Sequence, residues 1–160
     1  MADAGPLIAL ARAGHLRTLR KVAGTVLVPQ QVARECLREP SRPGAHAIRR
    51  GFRDGVLTRK SLGKSELYDA LLSLVGDGEA ACIALAQALG VPALLDDMHA
   101  RRIARRMGVT VLGTGGVLVR AKASGLIPAV KPILLELRRN GYRFSDELVS
   151  EILVRCSERQ

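Results

Sequence analysis

The sequence predicts an α/β fold, a three-layer α/β/α sandwich built around a parallel sheet. Short apolar segments alternate with stretches of helical periodicity, which is the pattern of repeated βα units. The apolar segments are continuous rather than interrupted by polar residues, as in strands that are covered on both faces. The 160 residues are 48% hydrophobic but only 2% aromatic, so the core must be aliphatic. With no long linker and no internal repeat, we expect a single domain over residues 1–160.

Each element of the first half follows from a local signal. Pro6 suits the first turn of a helix, and Gly14 separates this helix from a second one that contains Leu19. Val26–Val28 is a short apolar run ended by Pro29, which predicts a strand. The elements that follow are a helix through Val32 and Cys36, a loop over Pro40–Gly44, a helix to Phe52 and a short extended segment at Val56–Leu57.

The second half continues the alternation. Ala93–Leu95 follows Pro92 and predicts a buried strand, and Val109–Leu112 predicts another. Gly113–Gly116 predicts a tight turn into the next helix. Ser145 is a favoured N-cap residue and begins the last helix. The helices predicted in this half span Lys64–Leu89 with a break at Gly76–Gly78, Met98–Met107, a segment through Val117 and Ala121, Val130–Asn140 and Ser145–Arg155, and the last two belong to the same domain.

The chain is strongly basic, and its charge is unevenly distributed. It has 25 Lys and Arg against 15 Asp and Glu, for a net charge of +10. Residues 12–60 carry twelve basic and three acidic side chains, residues 61–97 carry one lysine and six acids, and residues 98–125 carry six basic side chains and no acid. An acidic island between basic stretches fits a cation site on a surface that attracts nucleic acid. A solvated basic surface without a ligand has the same composition.

Composition and motifs argue against several classes of function. The few aromatic residues disfavour a single-strand-binding module built on stacked bases. Cys36, Cys82 and Cys156 are widely spaced and odd in number, so we expect buried thiols in a reducing cytoplasm. No apolar run reaches the roughly 20 residues that a membrane span needs. The segment Thr58–Ser65 resembles a Walker A loop but lacks its first glycine, which argues against an ATPase.

Acidic residues stand where parallel sheets place their ligands, outside the carboxyl ends of strands. Asp96 and Asp97 directly follow a predicted strand, and Asp3 stands where an opening strand would end. Glu35 lies on the helix after a strand, and Glu79 begins the helix that leads to the next strand. Carboxylates brought together repel one another unless a proton or a cation neutralises them. Mg²⁺ or Mn²⁺ is the natural partner, since hard cations prefer oxygen ligands.

Each of these acids also has a purely structural explanation. Asp3 can interact with the dipole of the helix that starts near Pro6, and Glu35 can belong to a surface cluster of charges. Asp96 or Asp97 can be a helix N-cap. Their joint placement favours a site over a set of independent structural roles.

Five motifs occur in an order and spacing typical of one known family. They are Asp3–Leu10, Val28–Pro29 followed by Val32 and Glu35, Gly76–Ala80, Leu94–Asp97 followed by Ala100–Arg102, and Gly113–Leu118. Together they resemble a PIN-domain protein over nearly the whole chain, most closely in a prokaryotic branch related to VapC-like toxins. The resemblance implies a Rossmann-like α/β/α sandwich and an endoribonuclease that depends on Mg²⁺ or Mn²⁺. It also implies a homodimer and the role of a toxin controlled by a small antitoxin.

The resemblance also assigns site residues by motif. The metal-binding and catalytic acids would be Asp3, Glu35, Glu79 and one or both of Asp96 and Asp97. We favour Asp97 as the catalytic one, because it falls at the third-position Asp of the strand-end pattern typical of PIN domains. Thr114 is expected near the metal or a phosphate, with an N-cap as its structural alternative.

A basic helix follows the last pair of acids. Arg101, Arg102, Arg105 and Arg106 lie on one side of it. We expect these arginines to hold RNA phosphates beside the metal, or to accept an acidic antitoxin segment. A solvated helix face with cations near its C-terminus explains the same pattern.

The chain departs from the family pattern at its N-terminus. Only Met1 and Ala2 precede Asp3, where the family has a full first strand. Either the protein starts further upstream, or this strand is a stub that holds Asp3 loosely. Two functions therefore stay open: a metal-dependent endoribonuclease, and a catalytically weakened PIN-like module that binds nucleic acid or a partner.

Overall fold

The structure, a computed structural model, describes residues 1–159 as ten helices and four strands. The helices are α1 (Ala4–Arg12), α2 (Leu16–Ala23), α3 (Gln30–Leu37), α4 (Ala45–Arg53), α5 (Glu66–Leu71), α6 (Asp77–Leu89), α7 (Met98–Arg106), α8 (Thr114–Ala123), α9 (Lys131–Arg139) and α10 (Asp146–Arg155). The strands are β1 (Val26–Pro29), β2 (Leu57–Lys60), β3 (Ala93–Leu94) and β4 (Val111–Leu112). None of the helices in this range has the length and apolar character needed to cross a membrane.

The strands form two parallel pairs, and the N-terminal residues join them. β1 pairs with β2 in a register that sets Val26 opposite Leu57, and β3 pairs with β4. Between the pairs, Ala2 forms a parallel bridge with Leu94 of β3. On its other side, the Ala2 amide donates a hydrogen bond to the Leu27 carbonyl of β1 at 2.9 Å. The resulting order is β2, β1, the N-terminal residues, β3 and β4.

Asp3 lies at the end of a short N-terminal segment whose backbone forms hydrogen bonds with the neighbouring strands. The Leu94 amide donates to the Met1 carbonyl at 2.7 Å, and the Asp3 amide donates to the Leu94 carbonyl at 3.1 Å. The N-terminal ammonium group donates to the Pro92 carbonyl at 2.6 Å. Together with the bond from Ala2, these contacts connect the segment to strands on both sides. Backbone hydrogen bonds therefore hold Asp3 in place, although the segment before it is short.

Helices cover both faces of the sheet, which confirms the predicted α/β/α sandwich. Along β1, Val26 and Val28 join one cluster of buried side chains, and Leu27 packs against the other, as strand alternation requires. The first cluster contains side chains of α1 to α4 and α8 to α10, and the second contains side chains of α5, α6 and α7. Leu137 of α9 and Ile152 of α10 lie in the first cluster, so the last two helices pack on the same core.

The glycine-rich segment after β4 is helical, so the predicted turn is wrong. α8 begins at Thr114, which puts Gly115 and Gly116 in its first turn. A Cβ atom at Gly115 would lie 2.5 Å from Cδ1 of Ile152 on α10. A Cβ atom at Gly116 would lie 2.7 Å from Cδ1 of Leu112. These glycines are needed because α8 packs closely against its neighbours, not because the chain turns.

Candidate acidic site

Four of the predicted acids come from elements at the carboxyl edge of the sheet. Asp3 ends the N-terminal segment and precedes α1, and Asp97 follows β3 and precedes α7. Glu35 lies on α3, which follows β1 directly, and Glu79 lies in the first turn of α6. We call these four residues the acidic cluster. Segments far apart in the sequence therefore bring these carboxylates to the same edge of the sheet.

Asp3 and Glu35 converge on Gly78 of α6. A Cβ atom at Gly78 would lie 3.1 Å from Oε2 of Glu35 and 3.3 Å from Oδ1 of Asp3. It would also lie 3.2 Å from Cγ2 of Val32 on α3, which closes one side of this space with an apolar wall. Glycine thus keeps free a small volume that is bounded by two carboxylate oxygens.

The carboxyl group of Asp3 titrates far from its usual range. Burial raises the pKa of Asp3 from 3.8 to about 7. The backbone amides of Ala4 and Gly5 oppose this increase, and the negative charges of Glu79 and Glu35 add to it. A cation bound beside Asp3 would favour its charged form and offset the cost of burial.

Glu79 belongs both to the start of α6 and to the acidic cluster. Its Oε2 accepts a hydrogen bond from the Gly76 amide at 3.1 Å, as the glutamate of a capping box does. Burial raises the pKa of Glu79; the Gly76 amide opposes this increase, and the charges of Asp97 and Glu35 add to it. Glu79 is therefore close enough to both acids for their charges to interact.

Asp97 caps α7 with one of its two oxygens. Its Oδ1 accepts hydrogen bonds from the amides of His99 and Ala100, both at 2.8 Å. In the described part of the chain, its Oδ2 has no hydrogen-bond donor. The N-cap role and a ligand role for Asp97 are thus compatible, since each can use a different oxygen.

Asp96, in contrast, has both oxygens occupied by protein donors. Its Oδ1 accepts the Thr114 amide at 2.8 Å, and its Oδ2 accepts the Thr114 hydroxyl at 2.6 Å and the Tyr142 hydroxyl. Burial raises the pKa of Tyr142, and the charge of Asp96 adds to this increase. Thr114 is completely buried, so its hydroxyl contacts Asp96 rather than an open phosphate site. These bonds favour Asp97 over Asp96 as a metal ligand.

The donors of the acidic cluster fit a hard divalent cation that keeps much of its water. Within residues 1–159, no group of three or more His, Cys, Asp or Glu side chains is close enough together to hold a metal ion. Mg²⁺ often binds only one or two carboxylates and retains several waters, so three protein ligands are not required. Asp3 and Glu35, which meet beside Gly78, are the pair that would hold it.

A cavity of about 1120 Å³ lies beside the acidic cluster and carries both signs of charge. Its acidic side chains are Asp3, Glu35, Asp77 and Glu79, and its basic side chains are Arg34, Arg38, Arg42 and Arg59. The described residues that line it include no aromatic side chain. The cavity therefore offers carboxylates and guanidinium groups to the same ligand.

The arginines that the sequence predicts as RNA ligands do not line this cavity. Arg101 is partly buried, and its Nη1 donates to the Leu95 carbonyl at 3.4 Å. Its Nε is buried and has no hydrogen-bond partner in the described residues. Arg102 and Arg105 are exposed on α7, outside the residues that line the cavity.

The sequence contained a signal for some of the arginines that do line the cavity. Arg34 and Arg38 are four residues apart and flank Glu35, so one face of α3 carries all three. The local sequence does not predict the positions of Arg59 and Tyr142, because contacts with distant segments determine where each of them lies.

The structure is thus an α/β/α sandwich with acidic side chains at the carboxyl edge of its parallel sheet, where such sheets bind their ligands. The sequence model of the PIN domain matches residues 1–158, so the chain belongs to the PIN-domain family. PIN domains are generally nucleases, and PIN-domain nucleases bind nucleic acid. No curated protein and no solved structure matches the chain.

Proposed function

We propose that this PIN domain is a divalent-metal-dependent endoribonuclease that hydrolyses phosphodiester bonds of RNA. The observation that carries the proposal is the convergence of Asp3 and Glu35 on Gly78. The charges of Glu79 and Glu35 both help to raise the pKa of Asp3, so these acids repel one another in the absence of a cation. A bound divalent ion would relieve this repulsion, and the nuclease chemistry of the family supplies the reaction.

The acids have distinct tasks in this proposal. Asp3 and Glu35 hold Mg²⁺ or Mn²⁺ directly, and Glu79 and Asp97 offer oxygen acceptors to the water that the ion retains. When bound, such an ion lowers the pKa of its water and stabilises charge on the phosphate. Asp3 must lose its proton to bind the ion, and its pKa is about 7, so metal affinity should rise with pH through this range. Asp96 is a positioning residue, which Thr114 and Tyr142 hold in place.

The likeness to VapC-like toxins supports a more specific biological role. We propose that the protein is the toxin of a type II toxin–antitoxin pair, that a small antitoxin controls it, and that it acts in the cytoplasm as a homodimer. We also propose that the chain forms one domain, because α9 and α10 share a core cluster with α1. Expression of a toxin should arrest growth, and co-expression of a small neighbouring gene should relieve the arrest if that gene encodes the antitoxin. Analytical ultracentrifugation would test whether the protein is a dimer.

Cleavage of a mixed pool of labelled structured and unstructured RNAs tests the proposed activity. The wild-type protein should cut RNA with Mg²⁺ or Mn²⁺ and should not cut it in EDTA. Glu79→Gln and Asp97→Asn should each slow cleavage by about a hundredfold or more, since each removes charge from the acidic cluster. Asp69→Asn, at an exposed position on α5, is the matched control and should cut like the wild type.

Circular dichroism of each variant separates loss of activity from loss of fold. Cleavage that persists in EDTA, or variants that cut as well as the wild type, would refute the proposed site. If the protein binds RNA but cuts none of the pool, the alternative function takes its place: a PIN-like module that binds nucleic acid without catalysis.

A further inference from the structure

The cavity beside the acidic cluster contains positive charges that the protein does not neutralise. Arg34 and Arg38 line it from α3 and its C-cap, and Arg59 lines it from β2. Among the described residues, these three arginines form no ion pair within 4.0 Å. Arg42, which also lines the cavity, does pair with Glu39 at 3.5 Å. We call Arg34, Arg38 and Arg59 the arginine face.

The lack of ion pairs is informative because carboxylates line the same cavity. If the arginine face served to neutralise the acidic cluster, ion pairs with Glu35 or Asp3 would be expected at this proximity. The arginine face is therefore available to an anion from outside the protein.

The local structure presents these guanidinium groups together. Arg34 and Arg38 are four residues apart, so they project from one face of the helix, while Val32 and Cys36 bury the opposite face. The guanidinium carbon of Arg59 lies 4.6 Å from the centre of the Phe52 ring. This stacking restrains the guanidinium group but leaves its edge N–H donors free for an oxygen ligand.

The chemistry of the cavity favours phosphate groups on a flexible strand. Guanidinium groups bind phosphate oxygens through paired hydrogen bonds. The described lining has no aromatic side chain on which bases could stack, so binding must rely on the backbone of the nucleic acid. An acidic protein segment would also be attracted, but the cation expected at the acidic cluster binds phosphate as well, which favours RNA.

We propose that the arginine face binds phosphates on one side of the scissile bond of single-stranded RNA. The strand then approaches the acidic cluster over α3 and β2, and not over the arginines of α7. Binding through phosphates makes recognition tolerant of base sequence. This inference rests on the proposed ribonuclease function and adds to it the path of the substrate.

Binding without cleavage tests the inference independently of catalysis. We would measure fluorescence anisotropy of a labelled oligo(U) of about twelve nucleotides in EDTA, at salt concentrations from about 0.05 to 0.2 M. Arg34→Gln and Arg38→Gln should each weaken binding about tenfold at low salt. Each should also reduce the slope of log affinity against log salt by about 0.7, the value for one phosphate contact on a single strand.

Two variants serve as controls for charge and for position. Arg38→Lys retains the charge and should restore the salt slope, with affinity between those of Arg38→Gln and the wild type. Arg139→Gln removes an exposed arginine of α9 that does not line the cavity, and should change neither quantity.

The outcomes separate this inference from the proposed function. Wild-type affinity and slope in both glutamine variants, or no binding of oligo(U) at all, would overturn the inference, whether or not the protein cuts RNA. A reduced slope in Arg105→Gln instead would assign the strand to α7. If polyglutamate displaces labelled oligo(U) as well as an unlabelled RNA of equal charge does, the arginine face binds an acidic protein partner instead. Reduced slopes in a protein that never cuts RNA would support the arginine face and refute the nuclease.

Discussion

Asp3→Asn should stabilise the metal-free protein at neutral and higher pH, although it removes a residue of the proposed metal site. Burial raises the pKa of Asp3 from 3.8 to about 7. A carboxyl group whose pKa is raised by folding favours the folded state while it is protonated. Its contribution is therefore complete below about pH 3.8 and is lost as the pH rises through about 7. Asparagine is neutral throughout this pH range and has nearly the same size and shape as aspartate.

The size of the effect follows from the two pKa values. Their difference corresponds to about 4 kcal/mol of unfolding free energy above pH 7, because one pKa unit is worth about 1.4 kcal/mol. Local relaxation and penetration of water reduce such burial penalties. We therefore expect Asp3→Asn to gain about 2–4 kcal/mol at a pH of about 8 and almost nothing at a pH of about 4.

Urea unfolding in EDTA, followed by circular dichroism across this pH range, measures the difference. Asp69→Asn is the control, since Asp69 is exposed and its replacement should have the same small effect at every pH. Saturating Mg²⁺ should then stabilise the wild type but not Asp3→Asn. A gain that is equal at both ends of the pH range, or a loss of stability at the higher pH, would refute the reasoning from burial.

Two other substitutions test the geometry around the site. Gly78→Ala places a Cβ atom 3.1 Å and 3.3 Å from two carboxylate oxygens, and should lower Mn²⁺ affinity about tenfold by calorimetry. Gly5→Ala, whose Cβ would lie 3.9 Å from a carboxylate oxygen, should bind like the wild type, and equal affinities in both variants would argue against convergence. Thr114→Val removes a hydroxyl donor to Asp96 and should cost about 1–3 kcal/mol in urea unfolding. A loss no larger than that of the exposed Thr110→Val would show that this network does not stabilise the fold.

The helices are well predicted because caps and periodicity act within a few residues. Ser145 is predicted as an N-cap, and its hydroxyl accepts the Leu148 amide at 3.2 Å. The extent of strands is predicted less well. The apolar run predicts a strand over Val109–Leu112, but only Val111–Leu112 pairs with β3. Strand length depends on the partner, and the partner here offers only two paired residues.

The candidate site is only partly predictable for a similar reason. Asp3 and Glu35 are predicted to lie near one another because both stand close to strand ends. The structure brings them together beside Gly78. Asp96 and Asp97 follow the same strand, so only the family resemblance favours Asp97 at the level of the sequence. The distinction comes from donors on α8 and after α9, which lie far along the chain.

The sequence by itself determined the alternation of strands and helices, the aliphatic core and the set of acids near strand ends, because these follow from composition and local periodicity. Only the tertiary structure decided how the backbone of Asp3 is held, since the strands on both sides supply the hydrogen bonds. The tertiary structure also decided which arginines line the cavity beside the acidic cluster. The exposed face of a helix is set by what its buried face packs against, and α3 packs against α1, β2 and α6, which come from distant parts of the chain.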